Sequence, residues 1–359
     1  MNSIDKLRKE IEEIDEKILN LINERVKIAI QIGEEKKRNK IGIYDPVRES
    51  EVIERIRNMS INVGLPYEYI EDIFLLIMSM TRNVQGKLKI ALLGPEGTFS
   101  EIAVVKRFGY DVDKIYTNSI PDIFREVSKG KVDIGIVPIE NSYSGVVAQT
   151  LDSFVDSHLK IMGELFLRVH HSLLSGENSI ENVKRVYSHQ QALSQCKDWI
   201  ENNLQGVEII ETSSTAEASR IASTEPYSAS IGNEILSRKY NLNILAKNIE
   251  DDPMNTTRFW IIGENEISKT NNDKTTILCY IKDKPGALFD IIKPFKDLNV
   301  NMTKIESRPS RIKLWDYLFF IDFEGHIQDD KIKRLLEEIE KKSSLVKILG
   351  SYPKGIVLE

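Results

Sequence analysis

Thr257 and Arg258 stand where the polar cluster Asn255-Thr256-Thr257-Arg258 runs into the apolar stretch Phe259-Trp260-Ile261-Ile262, which stops at Gly263. A hydroxyl donates or accepts a hydrogen bond, and a planar guanidinium fork suits a carboxylate, so the pair fits an acidic small molecule. Burying both without a polar partner is costly. The same residues also read as a strand entry, with threonines paired across a sheet and Arg258 reaching solvent. A second group of charges lies in the first third. Ile4, Leu7, Ile11, Ile14, Ile18 and Leu21 recur at steps of three and four, and the continued seam puts Arg25 where an aliphatic residue belongs. Lys36 returns to nearly the same face. Two cations on an inward face call for a buried partner.

These charges need helices to place them. The seam predicts a long first helix, uninterrupted by Pro or Gly before Gly33. Asp45-Pro46 opens a second helix, Asp45 as its cap and Pro46 at its first position, with Asp45, Arg48, Glu49 and Val52 on one face. A third helix from Pro66 carries the stripe Tyr69, Ile70, Ile73, Phe74, Ile77 and Met78, continued by the polar Thr81 and Gln85. Arg8 lies at the seam's edge, roughly 25 Å from Arg25 along a straight helix. If it joins the same site it must come from a second chain, so an intertwined dimer is expected.

After Gln85-Gly86 short strands alternate with helices. The strand Lys89–Leu93 leads through the loop Gly94-Pro95-Glu96-Gly97-Thr98-Phe99-Ser100 into a helix, an arrangement suited to anions. Val132–Val137 ends in the polar loop Pro138-Ile139-Glu140-Asn141-Ser142-Tyr143-Ser144-Gly145, where α/β folds place ligands. Ser188-His189-Gln190-Gln191 opens a helix carrying Gln195, and Glu208–Glu211 feeds the hydroxyl-rich Thr212–Ala216. Two βα lobes with facing polar loops predict a cleft. The linker Asn265–Asp273 precedes a β-α-β-β-α-β order, ferredoxin-like, in which Pro285-Gly286-Ala287-Leu288 starts the first helix.

The 359 residues exceed one ordinary core and predict two or three domains, and 41% hydrophobic with 29% charged residues is normal for a globular protein. A net charge of −6 argues against nucleic acid as a partner. Cys196 and Cys279 form no metal-type spacing, and His170-His171, read as neighbours on a strand, point to opposite faces and cannot chelate together. No metal is expected, no apolar run approaches a membrane span, and Met1-Asn2-Ser3-Ile4-Asp5-Lys6 has no signal-peptide core. The expected location is cytoplasmic.

Residues 1–86 resemble the small all-helical chorismate mutase domain. The resemblance implies that Arg8 is donated by a partner chain and that Arg25, Lys36 and Arg48 hold the substrate's two carboxylates and ether oxygen. It implies further that Asp45 and Glu49 meet the hydroxyl and ring, that Gln85 bonds the ether oxygen, and that Thr81 replaces a frequent Ser. Residues 87–266 resemble prephenate dehydratase through the Gly-Pro-Glu-Gly-Thr-Phe-Ser, Pro-Ile-Glu-Asn-Ser, Ser-His-Gln-Gln and Thr-Arg-Phe motifs, a two-lobed fold similar to periplasmic binding proteins. There Thr257 would serve the departing 4-hydroxyl and Arg258 would hold or organise the acidic substrate, with Glu140, Asn141 and Gln195 lining the cleft. Whether Thr257 passes the proton or positions another acid stays open. Residues 274–359 resemble the ACT regulatory domain, in which Gly286-Ala287-Leu288 and Glu306-Ser307-Arg308-Pro309 imply phenylalanine bound at a subunit interface.

The resemblances imply a homodimer or homotetramer that uses no cofactor, turns chorismate into prephenate and prephenate into phenylpyruvate, and is inhibited by phenylalanine. Two other readings are a metabolite sensor without turnover and a dehydratase preferring arogenate.

Overall fold

The computed structural model describes residues 3–281, 284–309 and 317–358; Met1, Asn2 and Glu359, at the ends of the expected first and last domains, lie outside them. Two compact units result, Met1–Lys89 with Arg107–Asp113, and Ile90–Lys106 with Lys114–Glu359.

The first unit holds α1 (Ser3–Arg38), α2 (Pro46–Asn62) and α3 (Tyr67–Asn83). The first helix passes through Gly33 without a break. A Cβ there would lie 2.7 Å from Gln85 Cα, so glycine admits the segment that follows α3. The second begins where expected, with the Asp45 carboxylate accepting from the Arg48 N–H at 3.0 Å and Pro46 in the first turn. Val52, Ile53, Ile56, Leu75 and Met78 are among the buried residues of this unit. The predicted seam of α1 stays outside it: Ile4, Leu7, Ile11, Ile14, Ile18 and Leu21 are each more than half exposed. The predicted stripe of α3 divides too, since Met78 is buried whereas Tyr69 and Ile73 face out.

Among the described residues the second unit contains three sheets. In the seven-stranded sheet the order is Ile356–Leu358, Lys160–Arg168, Thr256–Gly263, Ile134–Asn141, Lys89–Leu93 and Asp113–Thr117, with Gly145–Val146 beside Ile134–Asn141. A five-stranded sheet forms the second lobe, and the four-stranded C-terminal sheet has the expected β-α-β-β-α-β order. One expectation changes: His170 and His171 lie in the connection between the strands Lys160–Arg168 and Ser172–Ser175 rather than within a strand. The last strand, Ile356–Leu358, was too short for its periodicity to announce, and it pairs in parallel with Lys160–Arg168.

The first-lobe and C-terminal sheets share one core, in which Leu278, Phe320, Leu349 and Tyr352 join Ile161, Trp260 and Phe154. Gly350 permits this approach, since a Cβ there would meet the Ile161 carbonyl oxygen at 2.3 Å. Inside the join lies an ion cluster. Arg258 reaches Glu164 at 2.6 Å and Asp322 at 2.7 Å, Lys274 reaches Glu164 at 3.1 Å, and Thr276 donates to Asp322 at 2.8 Å. Burial opposes the Arg258 charge, but Asp322, Tyr352 and Glu164 outweigh it and hold its pKa above the usual arginine range. Substituting Arg258→Met leaves two buried carboxylates with one cation, and unfolding monitored by denaturant titration should show a loss of about 3–5 kcal/mol. A loss below about 1 kcal/mol, the range of an exposed pair, would contradict this role.

Candidate functional site

In the helical unit a cavity of about 410 Å³ is lined by Arg25, Lys36, Asp45, Arg48, Glu49, Thr81 and Gln85, all singled out in the sequence. Arg25 enters from α1, donating to the Ile77 carbonyl at 3.4 Å and to the Thr81 hydroxyl. Lys36 donates to the Ile43 carbonyl at 2.9 Å, and Gln85 to that of Thr81 at 3.0 Å, which leaves Gln85 Oε1 buried without a partner among the described residues. Burial depresses the Arg25 pKa, and the nearby charges of Arg48 and Arg55 push the same way. An environment that disfavours a cation in this manner favours an incoming anion. Arg8 does not line this cavity; it is exposed and lies 3.9 Å from Asp5. Sequence reasoning missed Arg55, two turns beyond Arg48, and Arg82, a charge four residues after Met78 on a buried stripe. Arg82 donates to Glu49 at 2.8 Å.

In the second unit Thr257 and Asn141 lie opposite each other on adjacent antiparallel strands. Asn141 Oδ1 accepts from the backbone N–H groups of Tyr143 and Ser144, at 3.1 and 2.9 Å, which fixes the orientation of its amide. Its Nδ2 therefore donates to Thr257 Oγ1 at 2.9 Å and to Asn255 Oδ1 at 2.7 Å. Because Thr257 accepts here, its own proton is free to be donated elsewhere. Asn255 Nδ2 is buried with no partner among the described residues, a second donor that could meet a ligand. Asn141 was expected in a loop but is the last residue of the strand Ile134–Asn141, and this pairing aligns it with Thr257.

Gln195 follows the expected helix start and bonds His171 Nε2 at 2.8 Å. His171, overlooked as a functional candidate, packs edge-on against Phe99 of the Gly-Pro-Glu-Gly-Thr-Phe-Ser loop, with centroids 5.3 Å apart. Glu250 braces this connection, taking the His171 backbone N–H at 2.8 Å and His170 Nδ1 at 2.7 Å.

Three expected contributors face elsewhere. Successive strand residues point to opposite faces, so the face that presents Thr257 turns Arg258 into the Glu164–Asp322 cluster, where its fork is taken. Glu140, in register with Arg258, meets Lys304 of the C-terminal domain rather than standing beside Asn141. Arg308 forks onto Asp152 at 3.1–3.2 Å. Lys304, Glu306 and Arg308 occupy the half-buried alternate positions of the strand Met302–Pro309, whereas Ser307 is exposed on its other face. Gly286, at φ 82°, caps the helix Ala287–Asp297 in the left-handed conformation that glycine tolerates, with Leu288 partly exposed.

Burial holds His171 below the usual histidine range, overcoming the Gln195 hydrogen bond and the Glu250 charge. The unfolded chain protonates this ring below about pH 6.5, so stability present above that pH is lost as pH falls toward and through the lowered folded value. Thermal unfolding followed from pH 8 to 5 should show this loss in the parent and a smaller one in His171→Gln; equal losses would place the sensitive group elsewhere.

A chorismate mutase type II family model matches residues 7–86, a prephenate dehydratase model residues 90–267 and an ACT domain model residues 275–341. The bifunctional chorismate mutase/prephenate dehydratase of Aquifex aeolicus is 43% identical over 362 residues, covering 100% of both chains. The prephenate dehydratase of Methanocaldococcus jannaschii is 40% identical over 268 residues, covering 72% of this chain and 96% of its own. Among solved structures, a prephenate dehydratase from Arthrobacter aurescens in complex with L-Phe is 32% identical with a TM-score of 0.69, covering 74% of this chain and 90% of its own. With three such matches in one order and full-length similarity to a two-activity enzyme, this chain belongs to the bifunctional chorismate mutase/prephenate dehydratase family.

Proposed function

We propose that the family's two reactions run at separate places in this chain, within domains spanning residues 1–86 and 87–266, with regulation from residues 274–359. The observation that carries the first assignment is the cavity where Arg25, Lys36, Arg48 and Arg55 converge. Chorismate is a dianion, and its rearrangement to prephenate is pericyclic, needing no nucleophile and no proton transfer. Confinement of the reactive conformer and cations aimed at the breaking C–O bond are sufficient. Gln85 and Lys36 serve the ether oxygen, Arg25 and Arg48 the carboxylates, Asp45 and Glu49 the hydroxyl and ring, and Thr81 holds Arg25 in place.

In the middle domain prephenate loses carbon dioxide and water. The carboxylate's C–C bond breaks, its electron pair enters the ring, and the 4-hydroxyl departs as water after gaining a proton. Thr257, with its oxygen held by Asn141, donates toward that hydroxyl, and Asn255 Nδ2 offers a second hydrogen bond. Gln195 and His171 line the facing side. Arg258 and Glu140 support this cleft through the C-terminal domain instead of touching substrate. With Arg25→Ala, conversion of chorismate should fall about 100-fold or more while conversion of added prephenate persists. Thr257→Ala should do the reverse, with prephenate turnover down about 10²–10⁴-fold. Parallel loss of both activities in either variant refutes separate sites.

Phenylalanine is the effector, bound near Gly286-Ala287-Leu288 and the Glu306-Ser307 end of an edge strand. The ACT match and the L-Phe held by the Arthrobacter relative support this. The exposed α1 seam supports a dimer in which Arg8 of one chain reaches the cavity of the other, and the open edge of Met302–Pro309 offers a further subunit contact. Two unpaired, buried cysteines suit a reducing, cytoplasmic setting. Light scattering alongside a dehydratase titration should give a dimer or tetramer inhibited by phenylalanine, and Ser307→Tyr should weaken inhibition more than turnover. A monomer indifferent to phenylalanine overturns both assignments.

A further inference from the structure

Glu49 is a residue of the helical cavity whose carboxylate is gripped at both oxygens. Arg82 Nε takes Oε1 at 2.8 Å, and an Arg107 guanidinium nitrogen lies 2.7 Å from Oε2. All three side chains are nearly buried, at 12%, 3% and 11% exposure for Glu49, Arg82 and Arg107. Arg82 belongs to α3. Arg107 does not belong to the three helices at all; it lies near the end of the helix Phe99–Phe108, inside the stretch matched by the prephenate dehydratase model, yet Arg107–Asp113 forms part of the helical unit.

Its neighbour fastens it there. The Phe108 carbonyl accepts from Ser79 Oγ at 2.5 Å and from Arg82 at 3.2 Å. The Phe108 ring packs edge-on against Tyr44 at 5.4 Å and lies under both guanidinium groups, at 5.1 Å from Arg82 and 5.4 Å from Arg107. These contacts hold Arg107 against the Glu49 carboxylate and limit where that carboxylate can point.

We propose that Arg107 is a positioning residue for the mutase reaction, holding Glu49 toward chorismate from a segment outside the mutase family's own span. The inference rests on the cavity reading above. Each Glu49 oxygen retains a lone pair, so a doubly held carboxylate can still accept a substrate hydroxyl at a defined place. The charged and titratable groups facing it are Arg82 on α3, Arg107, and Tyr44 before α2; Arg25, Lys36, Asp45, Arg48 and Arg55 line the cavity around it. Burial alone would raise the Glu49 pKa, but Arg107 and Arg82 outweigh it and keep the carboxylate below the usual glutamate range.

The test uses the full-length chain with Arg107→Gln, Arg107→Lys and Glu49→Gln, measuring mutase kcat and KM across pH, prephenate turnover and thermal stability. Arg107→Gln should lower mutase kcat about tenfold and move the acid limb of kcat/KM to higher pH, while prephenate turnover stays near the parent's. Arg107→Lys, which keeps the charge without the fork, should lose about threefold and hold the acid limb near its place. It also supplies the test if Arg107→Gln does not fold, and a Lys variant with the parent's kcat and pH profile then overturns the inference. An unchanged Arg107→Gln profile beside an impaired Glu49→Gln overturns the Arg107 role alone. A fully active Glu49→Gln overturns the cavity reading and the inference with it.

Discussion

The guanidinium of Arg258 is the point on which the second unit turns. It joins Glu164, on the neighbouring strand of the first-lobe sheet, to Asp322 in the C-terminal sheet, with all three side chains buried. With Lys274 also present, two cations meet two carboxylates, so the cluster is neutral as a whole and costly to leave half-made. The surrounding core supplies the gain from apolar burial. Trp260, two residues on and therefore on the same strand face, lies 5.5 Å from the guanidinium and belongs to that shared core.

The consequence for chemistry follows from strand geometry. Thr257 is the immediate neighbour of Arg258 and projects from the opposite face, where Asn141 meets it. The Thr257 hydroxyl therefore sits on a strand whose other face is held by the C-terminal domain. Lys304 with Glu140 and Arg308 with Asp152 add two further ties between the same domains. These contacts tie the C-terminal sheet directly to the strands that carry Thr257 and Asn141.

The helical site works by a different balance. Arg25 is partly desolvated, and Lys36, Arg48 and Arg55 line the same cavity, so the charge set is predominantly cationic. Where carboxylates do enter, they are restrained. Asp45 caps α2, and Glu49 is bound by Arg82 and Arg107.

Much of this was legible in the linear chain. Period and capping chemistry are local, so the three N-terminal helices, the Asp45-Pro46 start and the C-terminal element order could be read directly from residue types. Arg25, Lys36, Thr81 and Gln85 stood out because polar side chains continued apolar stripes at fixed spacing, Arg48 because it shares a helix face with Asp45 and Glu49, and the cavity collects them. The partners of those charges were not legible. Arg258 resembled a substrate ligand because its fork suits a carboxylate, and only the folded sheet shows that Glu164 and Asp322 supply it. Glu140 and Asn141 looked like equal members of one polar loop, but pairing with the Thr256–Gly263 strand sends one toward Lys304 and the other toward Thr257. Arg107 gave no signal, because its partner is distant in sequence and its helix belongs by pattern to another domain. Residue order determined which elements form and which chemical groups they carry. Strand register and long-range packing decided which carboxylate each cation meets, since those pairings depend on distances that no local period encodes.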